Sequence, residues 1–187
     1  MYGVDILVKE HENIKRMAKV MRAASLQVFS GGELVTKDFY QMLEFVRNYA
    51  DKHHHKKEED ILFDYMKKEL GKLAQNLITN GMLVEHDLGR LHMRELEAAL
   101  QEYEANNSED AKLDIVVNAT AYTYLINRHI DKENEVVFTF GAKNLTEESR
   151  TIVDQRTKEM EEGATKEGVQ DKYLKVLEEL EKKYILG

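Results

Sequence analysis

The stretch HHHKKEEDILF, residues 53–63, sets a histidine four places before a glutamate twice over: His54 with Glu58, and His55 with Glu59. A helix brings residues i and i+4 onto one face, so each pair offers an imidazole nitrogen and a carboxylate to one point in space. Helical phase separates the two pairs. At about 100° per residue, His54 shares its face with Phe39, Leu43, Ala50, Ile61 and Tyr65, and Glu58 lies about 40° away. His55 and Glu59 fall about 100° and 140° round, among charged neighbours. His54 and Glu58 are the inward pair by this reading, while His53 and His55 are assigned to solvent or to places behind the ligands.

Working outward, the same spacing recurs in NRHIDKENEVVF, residues 127–138, as His129 with Glu133. His129 aligns there with Ile115, Tyr122, Leu125, Ile126, Val136 and Phe140. Two further histidines stand alone on helical patterns. His86, in LVEHDLGR, aligns with Met82, Met93 and Leu100; His11, in KEHENI, is flanked by Leu7, Ile14 and Ala18. His92 lies about 120° off the His86 face and is set aside. Four inward histidines and two inward glutamates buried without a metal would leave polar groups and charge uncompensated, at a cost of several kcal/mol. Four nitrogens and two carboxylates around one axis are what two bridged transition-metal ions require.

Composition fits long helices around such a site. The 187 residues correspond to one domain and include no proline, where average usage predicts about nine. Proline interrupts helices; its absence permits long ones. The chain has no cysteine, which rules out disulfides, thiolate sites and iron–sulfur clusters, so a metal must be held by nitrogen and oxygen. A net charge of -8, with no basic stripe, argues against nucleic acid. No long apolar run suggests a membrane span, and the start MYGVDILVKEHENIKR is too polar for a signal peptide. These features predict a cytoplasmic protein.

Turn signals predict helices over 4–29, 36–70, 79–104 and 108–140, with two more over 146–161 and 168–184. Thr36 is read as an N-cap and Gly71 as a stop. Nothing alternates with period two long enough to suggest a sheet. Short loops favour antiparallel neighbours, hence an all-α, up-down-up-down four-helix bundle over residues 1–141, with a C-terminal helical extension over 142–187 packed on it. Counted along the helices at about 1.5 Å per residue, all four histidines fall nearer the same end of the bundle.

Together these stretches resemble the hemerythrin-like proteins with HHE cation-binding domains, over about the first 140 residues and in the family's order. The resemblance implies a four-helix bundle holding two non-haem iron ions. His11, His54, His86 and His129 would be terminal ligands, with Glu58 and Glu133 bridging beside an oxo or hydroxo group. It implies binding of oxygen or nitric oxide, or reduction of peroxide, in sensing or oxidative-stress defence, with an electron donor where turnover occurs. The alternative is an iron-sensing or iron-handling module without turnover. Oxygen-carrying members place another histidine one turn after that of the third helix. Arg90 stands at that position here, which leaves coordination positions open and favours reaction over reversible storage. The family's frequent proline after Leu-Phe is also missing from LFDYM and VVFTF. Tyr122, two turns before His129, is either a donor to a bridging carboxylate or bound oxygen species, or a core tyrosine bonded elsewhere. Arg90 either approaches the site or points to solvent. In the tail, Tyr173, Val176, Leu177, Leu180 and Tyr184 form an amphipathic stripe that serves as a brace on the bundle or as a homodimer contact. No output domain is fused to the bundle, so signalling would need a separate partner.

Overall fold

The computed structural model describes residues 1–186, which form six helices and no strands. Helix α1 is Tyr2–Phe29. Its buried residues Leu7, His11, Ile14, Ala18, Met21 and Val28 recur every three or four places, the spacing of a helix that buries one stripe. The chain turns at Gly31, where φ of +86° is a left-handed value that glycine adopts without steric cost. Helix α2 covers 36–69 and starts at Thr36, with Val35 at the cap position instead of Thr36; the Thr36 hydroxyl donates to Glu104. Gly71, at φ +67°, turns the chain directly into α3 over 71–106. That helix begins eight residues before the Thr79 start read from the sequence, because the 71–78 segment contributes buried Ala74 and Ile78 to a core. Asn107, in the left-handed region, ends it. Ser108 then caps α4, over 109–144, by accepting from the Ala111 N–H.

Helices α1 to α4 form a closed ring of neighbours, α1 against α2, α2 against α3, α3 against α4 and α4 against α1. Two apolar clusters fill the interior. The larger holds Met21, Phe39, Phe45, Leu96, Leu100 and Ile115, and the smaller holds Leu7, Phe63, Met66, Ile78 and Phe138. The polar residues singled out above lie between them.

Helix α5, Glu147–Lys166, lies against α1 and α2. It is capped by Thr146, which accepts from the Ser149 N–H, and its Asp154 accepts from the Gly3 N–H at 2.8 Å. Helix α6, Val169–Tyr184, buries Tyr173, Leu177 and Leu180 in the larger core and packs on α1 and α2. Arg16 grips Glu181 through two nitrogens, and the Tyr184 hydroxyl donates to Asp38 at 2.6 Å. The amphipathic stripe of the tail is thus spent within the chain. Among the described residues no helix is long and apolar enough to cross a membrane.

The helices are not uniformly α. Val46–His55 and Glu58–Leu62 in α2, Ile78–Met82 in α3 and Glu133–Val137 in α4 are π-helical. A π turn closes its hydrogen bonds one residue later than an α turn. Each extra residue sets the remainder of the helix back by about 100° relative to uninterrupted α geometry.

Candidate metal centre

His11, His54, Glu58, His86, His129 and Glu133 are all buried, between 0% and 1% exposed, and converge from four helices. Their donor atoms fall into two groups: His11, His54, Glu58 and Glu133 in one; His86, His129, Glu58 and the additional residue His55 in the other. Glu58 belongs to both. Its Oε1 lies 3.3 Å from His54 Nε2 and 3.8 Å from His11 Nε2, and its Oε2 lies 3.5 Å from His86 Nε2. Glu133 spans the halves as well. Its Oε2 is 3.3 Å from His11 Nε2 and 3.1 Å from His129 Nε2, and its Oε1 is 3.8 Å from His86 Nε2. Two ligands at right angles on one ion, each at about 2.1 Å, stand about 3.0 Å apart. The His86 and His129 Nε2 atoms are 3.0 Å apart. The spacing fits metal coordination with small adjustments.

Hydrogen bonding within the protein leaves these atoms unserved. Among the described residues, His11 Nε2, His54 Nε2 and all four oxygens of Glu58 and Glu133 are buried without a hydrogen-bond partner. Each such orphan costs about 1–3 kcal/mol, and here six share one small volume. Soft ligands being absent, a nitrogen- and oxygen-binding cation is the group this donor set fits.

The other ring nitrogen of every histidine is held. His11 Nδ1 donates to Asn134 Oδ1 at 2.8 Å, His54 to Glu10 at 2.8 Å, His86 to Glu59 at 2.7 Å and His129 to Glu85 at 2.9 Å. A carboxylate or amide at Nδ1 fixes the tautomer that leaves Nε2 free for a metal and makes that nitrogen more basic. The four contacts follow one rule. Glu10 on α1 holds the histidine of α2, Glu59 on α2 that of α3, Glu85 on α3 that of α4, and Asn134 on α4 that of α1. In each helix the holding residue is the immediate sequence neighbour of a converging donor residue: Glu10 of His11, Glu59 of Glu58, Glu85 of His86, Asn134 of Glu133.

The protein's own charges are tuned by this packing. Burial pushes the His54 and His129 imidazoliums down, but the carboxylates beside them reverse it, and they are pushed up to about 9 and about 10. Burial raises Glu133, while the charge of His129 and contacts with His11 and His86 hold it well below the usual carboxylate range. Glu85, in contact with His129, is lowered to about 2.

Two histidines take the second of the two places the sequence reading left open. His53 and His55 are buried, 5% and 6% exposed, beside the converging donors and not in solvent. The π segment Val46–His55 resets that phase, so consecutive residues 54 and 55 both turn inward, to opposite halves of the centre. The His55 ring stacks on His86, centroids 3.9 Å apart and planes at 9°. Its Nδ1 faces Asp51 at 3.3 Å, and burial with the neighbouring His86 charge lowers it well below the ordinary histidine value. Two parallel stacked rings cannot both aim a lone pair in plane at one ion, so His55 and His86 do not serve a common ion in this arrangement. His53 joins Glu10 and Glu161 around the Lys57 ammonium, which contacts all three and is fully buried. Glu10 and Glu161 therefore already share a cation.

Arg90 reaches the centre's edge while staying about one-third exposed, 33%. It donates to Asp51 Oδ1 from Nε and Nη2 at 2.9 and 2.7 Å, and to Glu59 Oε1 at 2.6 Å, so it ties together the carboxylates that hold His55 and His86. Tyr122 is 2% exposed and its hydroxyl has no partner. His92 bonds Asn118 at 3.1 Å, away from the centre.

Fold and site define a helical cation-binding bundle. The sequence matches the family model described as hemerythrin HHE cation binding domain over residues 2–140, and the chain belongs to that family. No curated protein and no solved structure gave a match.

Proposed function

We propose that the chain is a non-haem di-iron protein that binds oxygen or nitric oxide or reduces peroxide, in sensing or oxidative-stress defence. His11 and His54 would hold one ion and His86 and His129 the other, with Glu58 and Glu133 bridging. The observation that carries this reading is the convergence of buried donors from four helices, six of whose atoms, on His11, His54, Glu58 and Glu133, have no hydrogen-bond partner. Bound iron would supply redox chemistry and coordination positions for a small oxidant. The residues do the rest: the Nδ1 contacts hold four imidazoles in one tautomer, and Phe63 and Phe138, stacked on His86 and His11, exclude water from one side. An oxo or hydroxo bridge between the ions belongs to the same proposal.

A second reading, an iron-sensing or iron-handling module, is favoured by one connection. Glu161 on α5 contacts Lys57, Lys57 contacts Glu10, and Glu10 holds His54. Loading of the centre would then bear on how α5 is seated.

Metal content and the visible spectrum of anaerobically reduced protein, before and after air or peroxide, decide between these. Two irons per chain and a charge-transfer band that decays with peroxide consumption support the reactive centre. A stable reversible band supports oxygen binding; tight iron indifferent to oxidants supports sensing. His54→Ala and Glu133→Ala should each abolish two-metal stoichiometry, and full loading of both variants would sink the ligand assignment.

A further inference from the structure

A cavity of about 200 Å³ opens beside the His86 and His129 half of the centre. Its walls are Val46, Met93, Leu125 and Ile126, and its inner end is formed by His55, His86 and His129. Arg47, Arg90 and Arg94 stand where it meets solvent. The other half of the centre, at His11 and His54, has none of its histidines in this lining.

Three observations say what the space is for. The first is size. An apolar cavity of about 150 Å³ accepts benzene, whereas a water occupies about 30 Å³ of liquid. The space exceeds what a diatomic gas or peroxide needs.

The second is Gly89. Glycine inside a helix is destabilising relative to alanine, and close packing does not demand it here. An added Cβ would lie 3.5 Å from Tyr122 Cε2, an ordinary contact. A longer side chain at 89 would instead project along the Tyr122 ring into the cavity that both residues line.

The third is Tyr122 itself, whose buried hydroxyl lacks any partner although it lies on this lining. It is a donor waiting for an acceptor. His55, with Nδ1 turned to Asp51, offers Nε2 as the complementary acceptor.

Charge narrows the class. Arg47 is matched by Glu97 through two contacts of 2.7 and 2.6 Å, and Arg90 by Asp51, Glu59 and Asp87. Asp51 and Glu85 are part of the same lining. Arg94, the third arginine of the lining, has no such partner among the described residues, but an anion entering here would also meet two neutralised guanidiniums and the carboxylates of Asp51 and Glu85, which offset its charge.

We propose that this cavity binds a small uncharged organic molecule with an apolar body of about ring size and one hydroxyl-type head, the head lying between Tyr122 and His55. The proposal rests on the di-iron reading for its purpose, since the head would sit next to the metal pair. It does not rest on that reading for its geometry.

The test is a titration with phenol, followed by amide NMR, of the chain both metal-free and loaded with redox-silent zinc. Phenol should bind one to one and shift amides around Gly89, Met93 and Tyr122, whereas benzoate should not bind. Gly89→Leu should weaken phenol at least about tenfold by filling the space, and Gly89→Ala should retain binding. Tyr122→Phe should weaken phenol about five- to tenfold, the worth of one hydrogen bond, and leave benzene unchanged. The proposal is overturned if phenol fails to bind both forms, if Gly89→Leu binds it undiminished, or if benzoate binds as well as phenol. Zinc stoichiometry in the same samples separates the two readings. Phenol binding without two-metal loading by zinc or by iron supports the cavity and overturns the metal centre; two-metal loading without phenol binding does the reverse.

Discussion

Glu85 is next to His86 in the chain, yet the histidine it holds is His129, on the next helix. Glu85→Gln keeps the shape and removes the charge that makes the imidazole a stronger donor. Metal affinity should fall about 10- to 100-fold, measured by competition with a chelator, with two-ion stoichiometry kept. Thermal stability should move little, because Glu85 is half-buried and its other contact, Lys132, is exposed. The convergence of the six donors was legible from spacing, since i, i+4 pairs and apolar neighbours are properties of a single helix. The residues that hold the histidines were not, because each acts on a neighbouring helix and looks, in its own, like an ordinary surface acid or amide. Their adjacency to a ligand is the signal that would have found them. Arg90 is a similar case: its position was noticed, but its partners Asp51 and Glu59 become visible only when α2 and α3 are side by side.

Among the elements, α1 carries its one histidine in regular α geometry, while α2, α3 and α4 each contain π turns at or close to their converging donors. Apolar periodicity reports which face is buried on average and is blind to a single turn that closes one residue late. That is why α-helical phase turned His54 and Glu58 inward, as the structure does, but could not choose between solvent and the places beside the donors for His53 and His55. The tail was legible as a helix with one apolar face, and only the packed chain shows which surface receives it. Leu177, fully buried between α6 and the bundle, tests how that element is held. Leu177→Ala should cost about 2–5 kcal/mol in chemical denaturation. Two-metal loading should survive it, since α6 supplies none of the converging donors.

For the molecule as a whole, the charges of the centre predict opposite pH behaviour with and without metal. In the metal-free chain His54 and His129 are raised from 6.5 to about 9 and about 10. Stability from a raised group is fully present below its unfolded value and lost as pH rises through the folded one. The melting temperature of the metal-free protein should therefore decline from about pH 6.5 toward pH 10. With metal bound, the ions replace those protons, and the decline should vanish. Thermal scans of both forms from pH 6 to 10 check this: the gap between them should widen with pH, and parallel curves would contradict the charge assignment. Loading at pH 7 should also release protons into a weakly buffered solution.

The contacts at Nδ1 run in one direction around the bundle, from each helix to its successor and from the last back to the first. Four amphipathic helices joined by short loops have two mirror-related windings, and an apolar core alone discriminates poorly between them. The opposite circulation would aim Glu10, Glu59, Glu85 and Asn134 away from the histidines they serve. A miswound chain would keep its oily interior and lose its grip on the cations. Since ions that bind one form draw the population toward it, the centre doubles as a check on the handedness of the fold that surrounds it.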